Sequence, residues 1–363
     1  MCHFTWELSD TTKKEDIFPE QISPYELGTV TFLDFGFSLY PDTTHGFVKS
    51  VVRAESLGAA SCFIDDSGMK FDPFVMLTTA ALETSRIQLG TCTTNPISRH
   101  LGVTARAIAT LNEVSNGRAL LGIARGEGSL KPLGMNPISP RRLGDATILL
   151  RRLFAGESVD SADEQFRLSQ AKLTYGTQKR VPVYIAATGP TMLKIAGSVA
   201  DGVIISVGSD PRSIRFAIEE VRSGAKEARR DPNSVRLFAF VFSSISESHE
   251  QAVANAKPKA LWFLLHANYL CDFLKIDDSQ FKTIVPESDR HHSLSDILSS
   301  RRTIADEVVS PEIVDTFTIS GTKSECAEKA KRIAAEGVDR IVWSIRENWD
   351  YAAAAVANSI TPV

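Results

Sequence analysis

Short apolar runs alternate with amphipathic stretches from Val30 almost to the end of the chain. Val30–Phe37 (VTFLDFGF) reads as a strand and Thr43–Leu57 as a helix, with Gly58 after it, a residue suited to the left-handed turn that ends helices. Ser61–Asp65 is a second strand. Pro73–Thr84 is a second helix, its proline where a first turn accepts one. Ile87–Thr94 is a third strand, and Gly102–Ser115 a helix whose Val103, Ala107, Ile108, Leu111 and Val114 share one face. Asn116-Gly117 turns the chain into a fourth strand, Arg118–Ala124, and a helix follows from about Arg141 to Ala155.

The rhythm then pauses over the polar segment Gly156–Arg180, which reads as a surface hairpin or loop. It resumes with the strand Val183–Ala187, the helix Thr191–Ala200, the strand Val203–Val207, the helix Arg212–Ala228 and the strand Val235–Phe242. Glu247 to Asp315 is irregular and mostly helical, the pattern of an insertion. Thr322-Lys323-Ser324-Glu325 fits a capping box opening a helix with Cys326, Ala330, Ile333 and Ala334 on one side. Gly337 stops that helix, and Arg340–Ile345 is the eighth strand. These strands are continuous apolar runs, as in a parallel sheet covered on both faces. Eight β/α units favour a closed (β/α)8 TIM barrel over an open doubly wound sheet. The expected organisation is an arm over 1–29 and one barrel over 30–363, with insertions at 156–180 and 247–315.

Composition narrows the picture. The 363 residues exceed a barrel of about 250 by about a hundred, and this surplus matches the arm and the two insertions. With 43% hydrophobic and 23% charged residues, the chain is globular and long enough to bury a large core. A net charge of −4 gives no reason to expect a nucleic-acid partner. The five cysteines (Cys2, Cys62, Cys92, Cys271, Cys326) form no C-x-x-C pair, so no zinc knuckle is expected and the reading is a reduced, cytoplasmic protein. No run of about 18 apolar residues predicts a membrane span, and the polar N-terminus lacks a signal-peptide pattern. H-E-x-x-H, G-x-S-x-G and Walker A patterns are absent, and His291-His292 read as a solvated loop, so no metal is expected.

In such a barrel the site lies at the C-terminal ends of the strands. Ala187-Thr188-Gly189-Pro190 ends the fifth strand and opens a helix, whose free amides attract phosphate, although an ordinary capped turn reads equally well. Gly122–Gly128 (GIARGEG) ends the fourth. Arg125 could grip a phosphate and Glu127 move a proton, or the two could form a solvated ion pair. Thr91-Cys92-Thr93-Thr94-Asn95 ends the third with small polar residues that leave room for a flat ligand; a turn before Pro96 is the plainer reading, and Cys92 is more ordinarily a core residue than a nucleophile. Asp65-Asp66 ends the second, as acid–base groups or as turn caps. Asp34 lies within an apolar strand, where a charge is costly unless paired. Gly208 follows the sixth strand, and Ser344–Asn348 the eighth.

At these segments the chain resembles the bacterial-luciferase-like family of flavin and deazaflavin oxidoreductases. The resemblance runs from about Val30 to Ile345 and is carried by SRIQLGTCTTNPISRH (Ser85–His100), AIATLNEVSNGRALLGIARGEG (Ala107–Gly128) and PVYIAATGPTMLKIAGSVADGVI (Pro182–Ile204). The branch it most resembles is that of methylenetetrahydromethanopterin reductase, where N-P-x-x-R-H, here Asn95 to His100, is frequent. The resemblance implies a barrel with an insertion after the seventh strand. It also implies FMN or coenzyme F-420 (8-hydroxy-5-deazaflavin) at the strand ends, and a cis peptide at Cys92–Thr93 behind the ring. It places the coenzyme phosphate near Arg125, Gly126, Thr188, Gly189 and Pro190, with the ring beside Thr91 to Asn95; Ala187 and Gly208, at the ends of the fifth and sixth strands, are further coenzyme-binding candidates. Acid–base groups would stand at Asp66 and Glu127. One branch has histidine where Asp66 stands, so that branch's proton route does not carry over, and the family's G-R-G-D-S reads A-R-G-E-G here.

The implied activity is deazaflavin-dependent hydride transfer to or from a small organic substrate. The alternatives are an FMN-dependent monooxygenase supplied by a flavin reductase, and a non-catalytic barrel. A homodimer is expected.

Overall fold

The computed structural model describes residues 34–67, 69–175, 179–285 and 302–360. The expected arm, Val30–Leu33 of the first strand, Cys2 and His291-His292 lie outside them.

Eleven strands stand among the described residues. They are β1 (Asp34–Leu39), β2 (Ser61–Ile64), β3 (Gln88–Thr91), β4 (Ala119–Ile123), β5 (Val159–Ser161), β6 (Leu168–Ala171), β7 (Val183–Ala187), β8 (Gly202–Ile205), β9 (Arg236–Ile245), β10 (Thr318–Gly321) and β11 (Arg340–Ile345). The helices between them are α1 (Thr44–Ser56), α2 (Pro73–Leu82), α3 (Leu101–Val114), α4 (Pro140–Phe154), α5 (Pro190–Val199) and α6 (Pro211–Glu227). After β9 come α7 (His249–His266), α8 (Tyr269–Leu274), α9 (Ser279–Ile284), α10 (Arg302–Val308) and α11 (Pro311–Phe317); α12 (Lys323–Ala335) precedes β11, and α13 (Trp349–Ile360) follows it.

Eight parallel strands close in the order β9-β11-β1-β2-β3-β4-β7-β8, with β8 returning to β9. This is the expected (β/α)8 barrel, built from the eight predicted strands. The polar segment after α4 is a hairpin of antiparallel β5 and β6. A ninth parallel strand was not expected. The ten residues of β9 outrun β8, which pairs only Arg236 to Ala239; the free upper half, Phe242 to Ile245, is met by β10.

Alternation along each strand sends side chains to the helices or to the barrel axis. Phe37 packs outward, with ring centroids 4.7 Å from Trp349 of α13. Its neighbours Ser38 and Ser344, paired in register, are fully buried on the inner side. The lower interior is filled by Phe63, Tyr184 and Phe238, with centroids 6.4 and 4.7 Å from Phe238. The barrel is a packed core, and a ligand has room only at its ends. Among the described residues no helix is long and apolar enough to cross a membrane, and no His/Cys/Asp/Glu group could hold a metal.

Candidate active site at the C-terminal mouth of the barrel

Asp34 does not belong to the mouth. It opens β1, paired in register with Arg340 at the start of β11, so it lies at the N-terminal end of the barrel. Arg340 Nη2 donates to its Oδ2 at 3.1 Å while the guanidinium stacks 4.5 Å over Phe238. Asp34 is the counter-ion of a buried arginine, which explains a charge inside an apolar strand. The sequence reading had set the strand about two residues too early and so placed Asp34 near the wrong end.

The third strand breaks where a flat ligand was expected. Pairing with β2 ends at Thr91, the Cys92–Thr93 peptide is cis, and Thr94 pairs with Ile123 at the end of β4. The expected cis bond is therefore present. Thr94 N–H donates to Gly122 O at 3.0 Å, Ala124 N–H to Thr94 O at 2.9 Å, and Thr91 Oγ1 to Gly122 O at 2.7 Å. Gly122 is required here, because a Cβ would lie 2.1 Å from Thr91 O. Asn95 is buried; its Oδ1 accepts from Ile97 and Ser98 N–H at 2.9 and 2.8 Å, and its Nδ2 donates to Ser129 Oγ at 3.2 Å. It holds the loop rather than an open coordination position. Burial pushes the Cys92 thiol up to about 12, so it stays protonated and is no nucleophile.

Asp66 sits beside this break. Its N–H donates to Thr93 O at 3.3 Å, and its Oδ2 accepts from Thr94 Oγ1 at 2.6 Å. Burial raises its pKa above the ordinary aspartate value; the Thr94 hydrogen bond and Arg99 oppose that rise, while Asp72 and Asp65 add to it. Arg99 is itself occupied by Asp72, the N-cap of α2, and stacks 5.1 Å over Phe74. Asp66 is thus a half-buried carboxyl without a cation of its own, the environment that suits proton exchange.

Arg125 and Glu127 occupy each other. Arg125 Nη1 donates to Glu127 Oε1 at 2.5 Å and its Nε to Ile138 O at 2.7 Å, while Glu127 is exposed. The pair braces the loop after β4. Gly126 takes φ 93° and packs its bare face on Leu130 and Asn95, where a Cβ would come within 2.5 Å of Leu130.

Across the mouth, α5 opens with Gly189 as N-cap and Pro190 in its first turn, and no side chain caps its amides. Nothing lies within 4 Å of the point where a Gly189 Cβ would stand. Thr188 O accepts from Tyr269 Oη of α8 at 2.6 Å, which ties the insertion to this loop. Ala187 is buried in the wall. Gly208, φ 86°, packs on Phe317 and the Thr316 carbonyl, so its small size serves the contact with α11.

Three further features were missed in the sequence. Tyr40, just past the expected end of the first strand, shares a hydrogen bond of 2.9 Å with Ser344 Oγ. Arg346 stacks on the Tyr40 ring, its guanidinium carbon 3.5 Å from the centroid. Lys259 of α7 is fully buried and donates to Ser243 O at 2.9 Å and to Glu347 Oε2 at 2.5 Å. Only Arg346 and Glu347 had a signal, as part of the segment after the last strand.

The mouth therefore combines a break in β3 at a cis peptide, a carboxyl suited to hold a proton, and an uncapped helix N-terminus suited to phosphate. A family model described as luciferase-like monooxygenase matches residues 26–340. Among curated relatives, the 5,10-methylenetetrahydromethanopterin reductase of Methanolobus tindarius is 30% identical over 313 residues, covering 85% of this chain and 93% of that protein. Among solved structures, the coenzyme F-420 dependent tetrahydromethanopterin reductase of Methanopyrus kandleri superposes with a TM-score of 0.78 at 24% identity, covering 90% of this chain and 98% of that one. The oxygenating constituent of 3,6-diketocamphane monooxygenase from Pseudomonas putida, solved with FMN, superposes at 0.61 with 15% identity, covering 91% and 98%.

Proposed function

This chain belongs to the luciferase-like monooxygenase family, and from that premise we propose that it is an oxidoreductase that uses coenzyme F-420 for hydride transfer to or from a small organic substrate. The observation that carries this reading is the match over 85% of the chain to methylenetetrahydromethanopterin reductases, which are reductases by name. The mouth fits the coenzyme. The open α5 terminus at Gly189 and Pro190 would hold the phosphate, and the break at Thr91 to Asn95 would back the ring. Bound there, the deazaflavin would supply the hydride chemistry. The chain's part is to exclude water, fix the ring and exchange a proton at an Asp66 oxygen. Asp66 is preferred over Glu127, because Glu127 is exposed and ion-paired to Arg125.

FMN fits the same phosphate anchor, and an FMN-bound monooxygenase shares the fold; that enzyme class would need reduced flavin from a partner reductase. The test is thermal stabilisation of the purified chain by each coenzyme. Coenzyme F-420 raises the melting temperature under this reading; a rise with FMN alone would overturn it.

We further read the chain as a homodimer and as cytoplasmic. The outer face of α1 and α2 leaves Leu82, Val75 and Val52 exposed beside a groove of about 920 Å³, a place where a second copy could bury apolar side chains. The cysteines Cys62, Cys92, Cys271 and Cys326 are free thiols.

A further inference from the structure

We propose that Arg346, stacked on Tyr40 at the rim between β11 and β1, is an anion subsite that holds a carboxylate or phosphate group of the substrate. Among the described residues Arg346 has no ion-pair partner, and its Nε is shielded from solvent without an acceptor. Arg151, Arg215 and Arg340 by contrast are matched, with Asp201, Glu336 and Asp34. Arg346 is partly buried, and the Tyr40 ring holds its guanidinium in place. The Tyr40 ring under it is fixed by Ser344 Oγ at 2.9 Å and approached by Ser38 Oγ at 3.5 Å. Stacking covers the face of the guanidinium and leaves its edge donors free, the arrangement that receives a carboxylate or phosphate fork to fork.

The surroundings agree. Arg346 and Tyr40 line a cavity of about 280 Å³ at the start of α1 and α13. Trp349 lines it too, and its Nε1 also lacks an acceptor among the described residues. Asp42, the acidic residue of the lining, is exposed and makes no ion pair with Arg346. Lys259 is consumed by Glu347 and Ser243.

The subsite is separate from the coenzyme's anchor. In the closed strand order β11 and β1 stand three and four strands from β7 by the shortest way round, so Arg346 and the α5 terminus lie on different sides of the barrel. Assigning the anion to the substrate rests on the coenzyme reading above; the existence of the subsite does not.

The test is calorimetric titration of the full chain with inorganic phosphate at constant ionic strength, alone and saturated with coenzyme F-420. The coenzyme-loaded wild type binds phosphate. Arg346→Gln weakens that binding about tenfold or more, the usual loss of a charge-assisted contact, and Arg346→Lys, which keeps the charge without the fork, falls between. Melting curves establish that both variants are folded. Equal phosphate affinity in wild type and Arg346→Gln would remove the subsite. Binding that depends on Arg346 but is displaced by the coenzyme would assign the anion to the coenzyme's own tail and overturn the substrate assignment. Phosphate binding that depends on Arg346 in a chain that takes up no coenzyme would support the subsite and reject the coenzyme reading instead.

Discussion

Asp66 is a carboxyl that the fold favours in its neutral form. Its folded pKa is raised, chiefly by burial, so the stability linked to it is complete below the ordinary carboxylate range and is lost as pH rises through the folded value. Asp66→Asn keeps an acceptor for Thr94 and removes the ionisation. The variant should match or exceed wild-type stability at neutral pH and converge with it in acid, as read by urea unfolding across pH. Its turnover should fall roughly a hundredfold, the usual share of a general acid–base group. An Asn variant that is less stable at neutral pH, or equally active, contradicts this account. Asp66 stood out in the sequence because it closely follows a strand. Asp34 was misread for the same reason: strand ends are the least sharply marked points of an apolar run, and a shift of about two residues turned a counter-ion of Arg340 into a candidate for catalysis. Tyr40 was invisible, since nothing local distinguishes an aromatic residue that supports an arginine some three hundred positions away.

The elements were more legible than the residues, because burial on both faces writes a strand as an unbroken apolar run. Most of the barrel strands carry that mark. β10 does not: Thr318–Gly321 (TISG) is short and half polar, and it is a strand only because β9 extends beyond β8. Helix α7 likewise hides its function. Lys259 lies in the segment that reads only as an irregular helical insertion, yet its ammonium is buried between Ser243 O and Glu347, joining the insertion to the ends of β9 and β11. Removing one partner of a buried pair costs about 3 kcal/mol, whereas replacing both by uncharged groups of similar volume is often near neutral. Lys259→Ala should therefore lower unfolding stability by about that amount, and Lys259→Met combined with Glu347→Gln should recover most of it. Equal losses in both would show that the pair matters only for packing.

At the scale of the whole molecule, length and rhythm pointed to one decorated barrel, and the closed eight-strand sheet is that barrel. Its outer wall at α1 and α2 is where a second copy is expected, and Leu82, 72% exposed, is the residue to change. Leu82→Asp should convert a dimer to a monomer in light scattering after size exclusion with the fold intact; an unchanged mass would move the interface elsewhere. The substrate was not legible, because it is decided by side chains converging on the mouth from distant segments, Arg346 and Tyr40 among them. The claim on which the rest depends is that the mouth holds a flavin-type coenzyme with its phosphate on the amides of α5. Gly189→Asp tests it, since aspartate at an N-cap satisfies those amides and adds stability of at most a few tenths of a kcal/mol, while its charge would meet the phosphate. The decisive measurement is a fluorescence titration of coenzyme F-420 against wild type and Gly189→Asp, with melting temperatures recorded alongside. The account predicts binding to the wild type, and a loss of tenfold or more in a variant that melts at or above the wild-type temperature. Undiminished binding to Gly189→Asp would contradict it.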